Sequence, residues 1–174
     1  MLTKDEITKC AKAYEYAAKK HEGQTRKEGI PYITPPRAVA ELLYDMGYSV
    51  DYLIAGLFHD LLEDTDATEE EIIALSSREV LDAVKLLTKE TGYTMEIYVG
   101  KIRENPIAMA VKGCDRLHNL RSAVHASDAF RRRYIVESME WYLDFHKDIR
   151  EAIAALCDIT PDCEELRAKL DAIN

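Results

Sequence analysis

The stretch "AGLFHDLLEDTDA", residues 55–67, decides how this chain is read. It crowds His59, Asp60, Glu63 and Asp64 among leucines, a costly mixture in a core helix and an odd one on a surface helix. The question is whether the two sets of residues separate onto two faces. At about 100° per residue, with His59 at 0°, Glu63 falls near about 40°, Asp60 near about 100° and Asp64 near about 140°. Ile54, Leu57, Phe58, Leu61 and Leu62 occupy the remaining arc, from about 160° to about 300°. A single amphipathic helix therefore packs one face and gathers an imidazole and three carboxylates on the other. Taken alone, the polar face is either a ligand set or a solvated acidic surface.

Working outward, the chain reads as helices separated by short punctuation. Thr3 with Glu6 forms a capping box, and its helix runs to about Lys20. Residues 21–34 contain Gly23, Gly29 and Pro31 and read as a loop. Thr34 caps a helix that begins at Pro35 and stops near Gly47, and Ser49 caps the helix of the opening stretch. Thr68 with Glu71 and Ser76 with Glu79 start two more. Thr91-Gly92 is a turn. Asn105-Pro106 is a cap followed by proline at the first helical position, and Thr160-Pro161 repeats that signal. A long helix is expected from about Phe130 towards Lys147. No strand alternation, repeat or linker stands out. The expected architecture is a single all-α domain over 1–174, a helical bundle with C-terminal helices over 146–174.

A second helix carries comparable chemistry. In "VKGCDRLHNLRSA", residues 111–123, setting Asp115 at 0° puts Asn119 near about 40° and Ser122 near about −20°. Met109, Cys114, Leu117 and Leu120 lie on the opposite side. Lys112, Arg116 and Arg121 flank the polar stripe with positive charge. Carboxylate and imidazole suit a divalent metal, and Lys and Arg suit phosphate oxygens. An ordinary amphipathic helix with exposed ion pairs gives the same pattern.

Bulk properties narrow the function classes. Of 174 residues 47% are apolar, enough for a full core, and the formal net charge is −9. That charge argues against nucleic acid and against anionic membranes as partners. No apolar run approaches the roughly 18 residues of a membrane span. Cys10, Cys114, Cys157 and Cys163 show no zinc-ribbon spacing and read as reduced thiols. A cytoplasmic protein is expected.

With these residues in place, the sequence resembles the HD superfamily of metal-dependent phosphohydrolases, in particular the hydrolase domain of RelA/SpoT proteins and the small alarmone hydrolases. The resemblance rests on "HEGQTRKEGIPYI" (21–33), "FHDLLEDT" (58–65) and "KGCDRLHNLRS" (112–122), in the family's order. It implies an HD-type helical fold and removal of the 3′-diphosphate from (p)ppGpp with Mn²⁺ or another divalent transition metal. It implies His59, Asp60 and Asp115 as metal ligands, and Glu63 and Asp64 as the acid pair that orients or activates water. Arg26 and Lys27 match basic residues at the nucleotide, with Lys112 joining their positive patch. Asn119 and Ser122 match substrate-contacting positions. The implied partner is a small-molecule nucleotide; whether the chain forms a homo-oligomer stays open.

One position departs from the pattern. The family reads "PYIxHP", and its histidine is a further metal ligand; here the stretch is "PYITPP", with Pro35 in that place. Proline offers no donor, so the ion should be bound more weakly, unless water or a neighbour such as His21 fills the gap. His21, His118 and His125 otherwise read as structural. Two alternatives compete with the alarmone hydrolase. One is a hydrolase of another nucleotide such as NADPH. The other is a degenerate HD domain that binds a nucleotide or a protein.

Overall fold

The computed structural model describes residues 1–25 and 34–173. Among them the chain is helical, with no strand. Helix α1 (Lys4–Lys20) opens on the expected capping box. The Thr3 hydroxyl accepts from the Glu6 N–H at 3.1 Å, and Glu6 Oε1 accepts from the Thr3 N–H at 2.9 Å. Its buried stripe is Ala13 and Ala17, and the same i, i+4 spacing continues to His21 just beyond the helix. Helix α2 (Thr34–Asp45) ends at Gly47, whose φ of 82° suits glycine. There the Tyr48 N–H bonds to Leu43 O at 3.1 Å and the Gly47 N–H to Tyr44 O at 2.9 Å, which closes the helix end.

Helix α3 (Val50–Phe58) follows Ser49, which sits at the cap position without a side-chain bond. Helix α4 (Leu61–Asp64) is a single turn. Helix α5 (Glu69–Leu75) opens on the Thr68–Glu71 capping box, as read. Helix α6 (Arg78–Leu87) starts one residue later than the sequence suggests. Ser77, not Ser76, accepts from the Val80 N–H at 3.2 Å. The Ser77 hydroxyl also donates to Asp51 Oδ2 at 3.1 Å, a contact to α3 that fixes the register, while Ser76 donates to Ile72 O and ends α5. Helix α7 (Met95–Arg103) is capped by Thr94 after the Thr91–Gly92 turn. Helix α8 (Pro106–Ser122) starts on Asn105, whose Oδ1 accepts from the Ala108 N–H at 2.9 Å.

Contacts gather into two compact units, Met1–Lys112 and Gly113–Asn174. In the first, α3 packs on α1, α2 and α6. Its six residues Leu53–Phe58 are all buried, so α3 is apolar all round rather than amphipathic. Gly56 permits the close approach to α2: a Cβ there would sit 3.0 Å from Leu43 Cδ1 and 3.4 Å from the Ala40 nitrogen.

In the second unit, α9 (Asp128–Trp141) packs on α10 (Ile149–Asp158) and α11 (Glu164–Ala172). Two expectations fail here. The long helix does not reach Lys147; it stops at Trp141, and residues 142–148 turn across Gly113. No glycine or proline follows Trp141, so the stop comes from packing and has no local signal. Thr160-Pro161 does not open a helix. The Thr160 hydroxyl donates back to Leu156 O at 2.6 Å, and α11 begins only after Cys163. All four cysteines are free. No helix of the described residues is long and apolar enough to cross a membrane.

Gly113 gives a direct test of this packing. A Cβ on Gly113 would lie 2.4 Å from the Phe145 carbonyl oxygen and 2.9 Å from its carbon, both backbone atoms that cannot rotate away. Gly113→Ala should destabilise the protein by about 1–3 kcal/mol, as overpacking does. Gly56→Ala, which meets mainly flexible side-chain ends, should cost less. Chemical denaturation of the two variants checks the order.

Candidate metal centre

The opening stretch is not one continuous helix. The sequence wheel assumed α geometry through 54–64, but α3 ends at Phe58 and the chain leaves helical geometry at Asp60, with φ −116° and ψ 9°. The His59 ring supplies a physical reason. Its Nδ1 donates to Gly56 O at 2.7 Å, and that carbonyl is the one a continuing helix would offer to the Asp60 N–H. Leu61, fully buried, anchors the next turn, which closes with the Thr65 N–H on Leu61 O at 3.0 Å. The break leaves His59 half-buried and Asp60 buried, while Glu63 and Asp64 remain exposed.

The Asp60 carboxylate faces two imidazoles. His59 Nε2 lies 3.8 Å from Asp60 Oδ2, and His21 Nε2 lies 3.4 Å from Asp60 Oδ1. The hydrogen bonds behind both rings define their tautomers. A carbonyl only accepts, so His59 Nδ1 carries a proton. Gln24 Nε2 donates to the Asp64 carbonyl at 3.0 Å, which turns Gln24 Oε1 towards His21 Nδ1, also at 3.0 Å, so that Nδ1 is protonated too. Each ring in its neutral form therefore presents the Nε2 lone pair to the carboxylate. An Nδ1–H held by a carbonyl with Nε2 directed forward is the arrangement of a metal-binding histidine. The donor set fits a divalent ion in its chemistry. Among the described residues, however, no group of three or more His, Cys, Asp or Glu is placed to hold a metal ion. Burial pulls the His21 imidazole towards its neutral form, but its contacts with Asp60 and Gln24 outweigh this and hold its pKa above the ordinary value.

His21 was weighed from sequence but left out of the ligand set. Its signal was the α1 stripe: it continues the buried positions of Ala13 and Ala17 and is 2% exposed. The acid pair lies one turn past Asp60. Glu63 Oε1 accepts from the Lys89 N–H at 3.0 Å, and the Asp64 carbonyl holds Gln24. The Lys89 and Lys112 ammonium groups both approach the Tyr98 ring, at 5.5 and 5.8 Å from its centroid. Arg26 and Lys27 lie outside the described residues. Pro35 is buried near the start of α2.

The second unit carries the other polar stripe. Asn119 Nδ2 donates to Asp115 Oδ1 at 3.1 Å, so these two share a face as the wheel indicates. Asp115, Asn119 and Ser122 are half-buried, and Cys114, Leu117 and Leu120 are buried. Burial pushes the Cys114 thiol up to about 12, with Asp115 adding to the effect. Arg116 corrects the expected cationic rim. It is 4% exposed and lies 4.1 and 4.3 Å from the ring centres of Tyr134 and Tyr142. Its Nη2 donates to Glu137 Oε1 at 2.8 Å. Leu117 and Cys114 are buried on either side of it in sequence, so the rigid guanidinium is used as core rather than as a phosphate contact. Arg121 is exposed, 3.9 Å from Asp148.

An all-α chain with these motifs defines an HD-type domain, and comparison with known proteins agrees. Residues 13–148 match the HD domain family. The chain belongs to that family. It is 38% identical over 155 residues to a guanosine-3′,5′-bis(diphosphate) 3′-pyrophosphohydrolase of Spiroplasma citri, covering 82% of this chain and 21% of that protein. It is 35% identical over 152 residues to the bifunctional (p)ppGpp synthase/hydrolase SpoT of Escherichia coli K12, covering 81% and 22%. A GTP pyrophosphokinase of Myxococcus xanthus is 37% identical over 145 residues, covering 75% and 19%. The chain thus spans about a fifth of the length of these relatives. Among solved structures, a metazoan ortholog of SpoT described as hydrolysing ppGpp has the same fold, with a TM-score of 0.65, 22% identity and 93% coverage of each chain.

The role of Arg116 can be measured. Arg116→Ala opens space between two tyrosines and removes a partner of the partly exposed Glu137, so it should destabilise by about 2–5 kcal/mol, as large-to-small core substitutions do. Arg121→Ala removes an exposed pair and should stay within about 1 kcal/mol. Thermal denaturation of both variants separates core from rim.

Proposed function

We propose that the chain is a metal-dependent nucleotide phosphohydrolase that removes the 3′-diphosphate of (p)ppGpp. The observation that carries this reading is the buried Asp60 carboxylate with an imidazole Nε2 turned to each oxygen, one helical turn before the Glu63–Asp64 pair. The names of its relatives supply the substrate class. The reading assigns a divalent ion, Mn²⁺ or another transition metal, to His59, Asp60 and Asp115. When bound, such an ion lowers the pKa of water and polarises a phosphoryl oxygen.

The remaining work falls to this chain's own side chains. Glu63 is exposed and tethered through one oxygen to the Lys89 N–H, so its carboxylate is held in place to take a proton from the attacking water. Asp64 orients that water. Water adds at phosphorus, the bond from phosphorus to the ribose 3′-oxygen breaks, that oxygen takes up a proton from solvent, and diphosphate departs. Arg26, Lys27 and Lys112 receive the diphosphate as point charges and forks for its oxygens, and Asn119 and Ser122 contact the nucleotide. A cytoplasmic setting and a small-molecule substrate belong to the same reading.

Purified protein supplied with Mn²⁺ should convert ppGpp to GDP and diphosphate, and a chelator should stop the reaction. Glu63→Gln should lower kcat by about 10²–10⁴-fold, the usual contribution of a general base, without moving the melting temperature. Unchanged turnover in Glu63→Gln would remove that residue from the chemistry. Intact nucleotide in the presence of bound Mn²⁺ would favour the binding-module alternative.

Pro35→His provides a second test. A histidine at 35 would offer such an ion a further nitrogen donor. Its Mn²⁺ affinity should rise by at least about tenfold, since even ligand-supporting residues change affinity by 10–100-fold. Asp60→Ala in the same background should abolish the gain. Isothermal titration with Mn²⁺ reads both.

A further inference from the structure

We infer that Tyr98 is a positioning residue of the proposed site, with one task for its hydroxyl and another for its ring. The hydroxyl fixes the turn whose backbone holds Glu63. The ring gathers the Lys89 and Lys112 ammonium groups for the diphosphate. This rests on the phosphohydrolase reading above and extends it to a residue of α7.

The hydroxyl acts through the end of α6. Leu87 is the last residue of that helix, and a carbonyl there has no donor within the helix. The Tyr98 hydroxyl supplies one, donating to Leu87 O at 3.0 Å in a buried position. Two residues later the Lys89 N–H donates to Glu63 Oε1 at 3.0 Å. These two bonds tie the start of the turn to α7 on one side and to Glu63 on the other. Packing holds the turn less firmly. A cavity of about 220 Å³, lined by Leu86, Thr88, Tyr93 and Tyr98 among others, lies against it, and Tyr93 is 44% exposed. Without the Tyr98 hydroxyl the Leu87 carbonyl would lose its buried partner, and the stretch that carries the Lys89 N–H would loosen.

The ring acts on charge. Tyr98 is 6% exposed, so its ring is a fixed wall rather than a swinging side chain. Lys89 Nζ lies 5.5 Å and Lys112 Nζ 5.8 Å from its centroid, both within the roughly 6 Å of a cation–π contact. Lys89 comes from the turn and Lys112 from α8, so one ring sets where both ammonium groups lie. Two like charges drawn to one ring repel each other, and a polyanion relieves that repulsion. The tether of Glu63 and this local positive charge thus share Tyr98 as their support.

Replacing the hydroxyl and the ring separately tests the two tasks. In Tyr98→Phe, which keeps the ring, hydrogen exchange of the Lys89 amide should quicken about fivefold, while the amides of α3 keep their rates. Unchanged exchange at Lys89, or an equal rise throughout α3, would overturn the hydroxyl's task. Isothermal titration with inorganic diphosphate, without metal, reads the ring. Tyr98→Leu should bind it about fivefold more weakly, and Tyr98→Phe as the wild type does. Equal affinity in Tyr98→Leu, or no binding by the wild type, would overturn the ring's task. With ppGpp, Tyr98→Phe should lower kcat about fivefold at unchanged KM, and Tyr98→Leu should raise KM as well. Absence of ppGpp turnover in the wild type, with the exchange and diphosphate results as expected, would overturn the phosphohydrolase reading and leave the placing of Glu63 and the two lysines by Tyr98 standing.

Discussion

A carboxylate removed from water constrains the first unit of this protein. Asp60 is 8% exposed, and a buried charge is tolerated only where opposite charge or donors surround it. Two imidazoles face it, and a proton on Nε2 is what lets a ring meet that need. His59 ends α3 by taking the Gly56 carbonyl, and this turn aims its Nε2 at one oxygen. His21 reaches the other oxygen from the end of α1, steadied by Gln24. Gly56 serves the same construction, since it lets α3 press against α2 and bury all of its last two turns.

Positive charge is used sparingly in a chain with a net charge of −9, and in two different ways. Arg116 is placed in the core, stacked between tyrosines with Glu137 as counter-ion. Its planar, weakly hydrated guanidinium tolerates that environment better than an ammonium would. The Lys89 and Lys112 ammonium groups instead approach the Tyr98 ring, at 5.5 and 5.8 Å from its centroid.

The metazoan SpoT ortholog shares the fold over nearly the whole chain, yet position 35 carries proline where the resemblance calls for histidine. Proline at a helix start costs nothing to folding, because its missing N–H would have no partner in the helix. Such a replacement is therefore tolerated by the helix.

What the sequence determined by itself was local. The capping boxes at Thr3–Glu6 and Thr68–Glu71, the Asn105-Pro106 start and the Gly47 stop were legible because each bond links residues three to five apart. So was the shared face of Asp115 and Asn119, one helical turn apart. The chemistry-bearing residues at 59–64 were legible as a set. Their arrangement was not, because the wheel carried a helix through a break that the His59 ring makes. Tertiary structure alone decided the shift from Ser76 to Ser77, fixed by Asp51, and the stop at Trp141, fixed by the backbone crossing Gly113. It alone buried Arg116 and brought His21 to Asp60. Those contacts join residues far apart in the chain, and hydrophobic periodicity, which reports only which face of a helix is buried, does not specify what lies against that face.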